Sequence, residues 1–188
     1  MDEEQEPTGQ RSKLIKKILL GSAATVALVA LVGVSYWTVT CPCEGRPGFV
    51  LLGESQDEVV TDWGFANEVA LCQIQISINL RPHSVNLNCM ATPEGDLFLS
   101  CSFGDRKYWC PRVESDHRGR LRLDGVVYPV VLNRVTDTSE LDASWTARIL
   151  KLQKPAVQAV QPGAGSPPPL DSERPESWWT FQVQSRAG

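Results

Sequence analysis

The chain has 188 residues and a formal net charge of −4, with 22 acidic side chains against 18 lysines and arginines. That balance gives no basic surface for a polyanion, and the cations beyond the first twenty or so residues are scattered, which argues against nucleic-acid binding. Once an apolar amino-terminal run and the polar tails are set aside, about a hundred residues remain, enough for one small core and too few for two.

Residues 18–39 form an uncharged, mostly apolar run. A hydrocarbon core of about 30 Å needs roughly 20 such residues at 1.5 Å rise each, so the run predicts a single transmembrane helix through which the chain meets the bilayer. Arg11, Lys13, Lys16 and Lys17 precede it, whereas the stretch from Cys41 to Val60 has only Arg46 against four carboxylates. The excess of basic residues before the run places residues 1–17 in the cytoplasm and the rest across the membrane, with Tyr36 and Trp37 as an outer aromatic anchor. A cleaved signal peptide is the competing reading, but its apolar core is shorter and ends in small residues, and this run ends in Tyr-Trp-Thr-Val-Thr. Cys41 as a lipid-carrying first residue is weaker still after Thr38-Val39-Thr40. Residues 40–60 read as a juxtamembrane linker.

Six cysteines, Cys41, Cys43, Cys72, Cys89, Cys101 and Cys110, suit an oxidising compartment. No Cys-x-x-Cys pair is present for zinc or thiol exchange, and no Cys-x-x-Cys-His for covalent haem, so no metal site is expected. Cys41-Pro42-Cys43 would close a strained ring, and intermolecular pairing or two free thiols is the blander expectation, with copper or thiol-redox chemistry behind it.

Cys72, Ile74, Ile76, Ile78 and Leu80 alternate with Gln73, Gln75, Ser77 and Asn79, the pattern of a half-buried strand. Arg81-Pro82-His83 then predicts a turn. Val85, Leu87, Cys89 and Ala91, followed after Pro93-Glu94-Gly95-Asp96 by Leu97, Leu99, Cys101 and Phe103, read as a hairpin in which odd positions pair with odd. With a loop of Glu94, Gly95 and Asp96, Cys89 faces Cys101, as a cross-strand disulfide or as two buried thiols.

Between Phe103 and His117, the cations Arg106, Lys107 and Arg112 interleave with Tyr108 and Trp109. Cations beside aromatic faces suit a planar anionic ligand; the plainer alternative is a short amphipathic helix with solvated charges and a buried Trp109. Asp124-Gly125 between two apolar runs predicts a second hairpin, with Pro129 marking an edge or a bulge. Asp137 and Glu140 stand at capping-box spacing before Leu141, Trp145, Ile149 and Leu152, which predicts a helix with Lys151 near its end. Residues 153–176 are rich in Pro, Gly, Ala and Ser and read as a linker. Residues 177–188, with Trp178-Trp179-Thr180-Phe181-Gln182-Val183, read as a strand returning to the sheet. His83 and His117 are the only histidines, each expected in a loop or turn, and no hydrolase elbow, zinc helix or nucleotide-cradling glycine loop exists.

Asp62-Trp63-Gly64-Phe65, the Arg-containing turn, Gly95-Asp96-Leu97-Phe98-Leu99-Ser100, the Lys107-x-Trp109 segment, the Asp124-Gly125-x-x-Tyr128 hairpin and Arg134-Val135-Thr136-Asp137 together resemble the split β-barrel proteins similar to pyridoxamine-phosphate oxidase and the deazaflavin-dependent nitroreductases. The resemblance covers about Thr61 to Arg148, with Trp178 to Arg186 as the last strand. It implies a mainly β fold with one or two helices, a split barrel over residues 61–152 behind the transmembrane helix, commonly paired as a homodimer with FMN or a deazaflavin at the interface. It further implies cofactor contacts from Arg81, His83 and Ser84 after the first strand and from Lys107 and Arg112 after the third; beside these, Trp109 is expected as a stacking wall for a planar ligand.

Two functional expectations follow. One is an oxidoreductase-like module binding a flavin-type or tetrapyrrole-like planar ligand. The other is a non-enzymatic binding or assembly module that has lost its cofactor and serves a membrane protein complex, suited by the replacement of a glycine-bearing turn with Arg81-Pro82-His83-Ser84. Either would sit in a bacterial inner membrane with its domain in the periplasm, and the sequence names no catalytic residue.

Overall fold

The computed structural model describes residues 8–43, 45–160 and 166–188. Residues 1–7 and 161–165, parts of the expected cytoplasmic segment and of the expected linker, lie outside the described residues. Helix α1 runs Thr8–Thr40. Its apolar stretch is uninterrupted by charge from Ile18 onward, and its length of about 50 Å at 1.5 Å per residue is sufficient for one membrane crossing.

Separately from that helix, residues 39–188 form one compact unit. It is built on strands β1 (Glu54–Ser55), β2 (Cys72–Ile78), β3 (Arg81–Leu87), β4 (Cys89–Ala91), β5 (Leu97–Cys101), β6 (Arg118–Leu123), β7 (Val126–Arg134) and β8 (Trp179–Ser185), with helices α2 (Thr138–Leu152) and α3 (Pro155–Ala159). The strand order is β3-β2-β6-β7-β8-β5-β4, and β1 adds in parallel to β7. The two ends of this sheet, β3 and β4, are one run of chain interrupted only at Asn88, whose carbonyl accepts a hydrogen bond from the Ser100 amide at 3.2 Å. The run therefore leaves β2 and joins β5, and the sheet curls back on itself as a split β-barrel. Its inner face is apolar: Ile74, Ile76, Leu97, Leu99, Leu121, Val130, Leu132 and Phe181 are all 2% exposed or less. A buried side chain of this size contributes about 1.5–3 kcal/mol.

The alternation of β2 holds from Cys72 to Ile78, with burial falling on each predicted residue. It stops there. The turn is Asn79-Leu80, both at positive φ, and Ile78 pairs with Arg81, so the hairpin turns before the expected Arg81-Pro82-His83 and Leu80 is left 99% exposed. Pro82 lies inside β3 at no cost to pairing. The Ser84 amide, on the same edge of the strand as Pro82, points away from β2 to the Gly48 carbonyl, so the donor that proline lacks belongs to the outer edge. Pro129 is likewise in a central strand, not at an edge or bulge. The Val127 carbonyl bonds Gln56 of the β1 segment and the Pro129 carbonyl bonds Arg186 beyond β8, so the edge of Pro129 that would carry N–H faces away from β6.

In the β4–β5 hairpin odd residues pair with odd, but Ala91 meets Leu97 and Cys89 meets Leu99, two residues from the expected register. Cys89 accordingly bonds Cys72, and Cys101 bonds Cys110. Cys41 and Cys43 bond each other, which corrects the expectation of free or intermolecular thiols. Asp124 and Gly125 form the two-residue turn between β6 and β7, both at positive φ as that turn demands. Asp137 caps α2 by accepting the Glu140 amide at 3.1 Å.

Residues 41–43 and 45–56, within the stretch 40–60 expected as a linker, are part of the fold. Leu51 is fully buried, and Gly48 exchanges two backbone hydrogen bonds with Ser84 of β3. A Cβ on Gly48 would stand 2.4 Å from the Cys41 carbonyl carbon, so only glycine permits that approach. Gln73 and Gln75, on the outer face of β2, hold this segment: the Gln75 side chain accepts the Leu51 amide at 2.8 Å, and Gln73 and Asn86 both donate to the Pro42 carbonyl. The tail between α2 and β8 is also tied down in part, with Val157 of α3 buried and Gln153 donating to the Pro168 carbonyl at 2.8 Å.

Candidate functional site

Cys101 ends β5, and the chain then runs through two 3₁₀ turns, Gly104–Arg106 and Cys110–Glu114, before β6 begins. The Cys101–Cys110 disulfide closes this excursion at its base. Gly104, at φ +42, packs so tightly that a Cβ would stand 2.4 Å from the Trp179 indole nitrogen. The excursion is thus pinned at both ends of its tip, and Tyr108 and Trp109 point in different directions from it. Trp109 is 7% exposed and packs on Phe181 with ring centroids 5.5 Å apart. Tyr108 is 55% exposed.

Tyr108, Trp109 and Lys107 meet His83, Val85 and Asn86 of β3 and the loop Cys43, Gly45–Pro47 around a cavity of about 320 Å³. Its chemistry is basic and aromatic. Arg46 and Lys107 line it, and the Arg112 guanidinium lies 3.8 Å from the Tyr108 ring centroid while donating to the Tyr108 carbonyl. The His83 ring meets the Tyr108 ring edge-on at 5.0 Å. Burial, then the positive charge of Arg112, holds the His83 pKa below its ordinary value of 6.5, which keeps the ring neutral at pH 7. Such a wall offers a flat ring an aromatic face and offers an anionic substituent two cations.

His83, Lys107 and Trp109, expected as cofactor contacts, are brought to this one cavity, and Arg112 braces it from behind Tyr108. Arg81 and Ser84 are not. Arg81 lies at the exposed hairpin end opposite Ile78, and Ser84 is fully buried, its backbone paired edge to edge with Gly48. The reason is that Arg81–Ser84 is strand and not turn, so no cradle for a phosphate forms there. His83 is therefore a strand residue, contrary to the loop expected for it, and His117 is tied to the Leu132 carbonyl at 2.8 Å in an extension of the β6–β7 pairing. Trp109, expected as a stacking wall, is taken up by the core, and Tyr108 is the exposed ring at the cavity. Arg46 and Asn86 join the site without being expected there; Asn86 is carried in by the β2–β3 pairing, and Arg46 by a segment whose approach depends on the Gln73 and Gly48 contacts, for which the local pattern holds no signal.

Among the described residues no group of His, Cys, Asp and Glu side chains could hold a metal ion. The residues of the cavity fit a planar group with one anionic substituent, held on the Lys107 and Arg46 side; they supply no second cradle at the hairpin.

The split β-barrel defines the class of architecture. No family model matches the chain, and no curated protein does. Among solved structures, it is similar to a putative pyridoxamine 5'-phosphate oxidase from Listeria innocua (9% identity, TM-score 0.45, covering 64% of this chain and 87% of that one). It is also similar to a pyridoxamine 5'-phosphate oxidase-related, FMN-binding protein from Nostoc punctiforme (15% identity, TM-score 0.38, 64% and 71%) and to the haem storage protein HutZ from Vibrio cholerae (16% identity, TM-score 0.40, 66% and 87%).

Proposed function

We propose that this chain is a membrane-tethered split-barrel protein that holds a planar anionic ligand of the flavin type in the cavity between β3 and the Tyr108 segment, with its domain on the extracytoplasmic side. The observation that carries the reading is the convergence of Lys107, Arg46 and the Arg112-braced Tyr108 ring on one cavity lined by His83. The placement is supported by three disulfides, which persist in oxidising compartments, and by the basic residues Arg11, Lys13, Lys16 and Lys17 in the first turns of α1, ahead of its apolar stretch. A flavin bound there would carry the electron chemistry, and this chain's part is to bind the anionic substituent and to stack the ring.

The test is a titration of the full-length protein, in non-ionic detergent, with FMN and with riboflavin, read as quenching of flavin fluorescence. FMN binds at micromolar level, riboflavin binds at least tenfold more weakly for want of its phosphate, and Lys107→Ala weakens FMN about tenfold to a hundredfold, the worth of one charge-assisted contact. A colourless protein that binds neither, or that binds both equally, refutes the reading.

One observation favours a second reading, the non-enzymatic assembly module. Leu80 is 99% exposed at the tip of the β2–β3 hairpin, in a left-handed conformation that leucine seldom adopts. A stable set of membrane partners that disappears with Leu80→Asp, recovered with no chromophore, would favour it.

A further inference from the structure

A second cavity, of about 400 Å³, lies between α2, α3 and the tail residues 166–178. Its frame is fixed. The Trp145 indole donates to the Ser172 carbonyl at 2.6 Å and Gln153 to the Pro168 carbonyl at 2.8 Å, so the proline-rich tail is fastened over α2 and walls the space. Trp145 and Trp178 meet edge-on at 5.3 Å, and the Arg148 guanidinium lies 5.0 Å from the first ring and 4.2 Å from the second. Leu152, Val157, Pro167 and Pro175 supply an apolar lining.

Arg148 is the informative residue. Its Nε is buried without a hydrogen-bond partner among the described residues, and none of the ion pairs formed among them involves it. Burial pushes its pKa down to about 10, so it is still cationic at pH 7. A guanidinium half-sheltered between two indoles and left without an anion is costly unless something completes it, because a desolvated charge gains from a paired partner what it has lost from water. The two indoles hold the guanidinium plane, and its remaining donors form the flat fork that matches a carboxylate. Glu173 also lines the cavity and disfavours a second negative charge.

We propose that the cavity between α2, α3 and the tail is a binding site for a small monocarboxylate with a compact aromatic or acyl body, its carboxylate on Arg148 and its body against Trp145, Trp178 and the prolines. The site is independent of the flavin-type cavity and stands whether or not that one binds a cofactor.

The probe is 1-naphthoate, with neutral 1-naphthamide as its isosteric control, added to the full-length protein in non-ionic detergent. The readout is the indole N–H resonances, assigned with Trp145→Phe and Trp178→Phe. Saturable shifts of the Trp145 and Trp178 signals by naphthoate, with naphthamide at least tenfold weaker and a similar loss in Arg148→Gln, support the assignment. Equal response to acid and amide, shifts confined to Trp109, or no shift at millimolar naphthoate overturns it. The acid and amide comparison is made on the unmodified chain, so the result does not depend on how well the variant folds.

Discussion

Lys151 is 3% exposed in the last turn of α2, and its ammonium donates to the Ala66 and Cys89 carbonyls, each at 2.7 Å, while standing 3.6 Å from the Cys89 sulfur. Among the described residues no carboxylate pairs with it directly. Burial above all, then the nearby charge of Lys154, brings its pKa from 10.5 down to about 8, with Glu68 pulling weakly the other way. The folded value lies below the unfolded one, so the charged form costs stability. Below pH 8 both states are protonated and the cost is fully present; between about 8 and 10.5 the unfolded chain keeps a proton that the folded chain has released, and stability rises with pH. At 1.36 kcal/mol per pH unit the whole interval corresponds to a gain of about 3 kcal/mol. Lys151→Met removes that gain and leaves two buried carbonyls without a donor, each costing about 1–3 kcal/mol, partly offset by the absence of a buried charge. The stability difference between the native protein and this variant therefore widens by about 3 kcal/mol from pH 7.5 to pH 10.5. Urea unfolding of the full chain in non-ionic detergent, without reductant and followed by near-ultraviolet circular dichroism, measures it. Parallel pH profiles for the two proteins would refute the buried-cation account.

Deleting residues 177–188 removes β8, which is hydrogen-bonded on one side to β7 and on the other to β5, and the near-ultraviolet signal of the domain is expected to vanish; an unchanged melt would show that the sheet closes without it. Replacing Cys101 and Cys110 together by alanine frees a loop with a sequence separation of 9 and is expected to cost about 2.5–3 kcal/mol on the chain-entropy account, and to weaken FMN at the Tyr108 cavity, with urea midpoints and the flavin titration as readouts.

Features set by neighbouring residues are legible in the amino-acid sequence. The Cys72–Ile78 alternation, the Asp124-Gly125 turn and the Asp137 cap each depend on a few consecutive side chains. Features set by the partner strand are not. Leu80 carries the apolar phase of β2 one step too far, and nothing local says that the next residue starts the return strand. Pro82 and Pro129 read as breakers because a missing donor is a cost only if a partner waits on that side, and which side it faces is a property of the assembled sheet. Lys151 reads as a charge suited to a helix end, since the carbonyls that bury it lie on Ala66 and Cys89, more than sixty positions away in the chain. The site shows the same division. Lys107, Trp109 and Arg112 are visible as an interleaved group, whereas the exposure of Tyr108 in place of Trp109 follows from Phe181 claiming the tryptophan for the core.

The walls of the Tyr108 cavity come from three stretches of chain that share no regular pairing across it, so its shape depends on how each is held. β3 is fixed by seven paired residues with β2. The other two walls each combine a disulfide with other contacts: the loop containing Arg46 follows the Cys41–Cys43 bond and pairs through Gly48 with Ser84, and the segment bearing Lys107 and Tyr108 is closed by Cys101–Cys110 and held by Trp109 on Phe181. Reduction would remove one constraint from each of the two walls that carry the cations, while the strand pairing of the barrel and the packing of Phe181, Leu132 and Ile74 remain. Ligand binding should therefore weaken at reductant levels that still leave the urea-resistant core folded. A cavity braced in this way keeps its shape best where thiols stay oxidised, which ties the disulfides to the proposed extracytoplasmic placement.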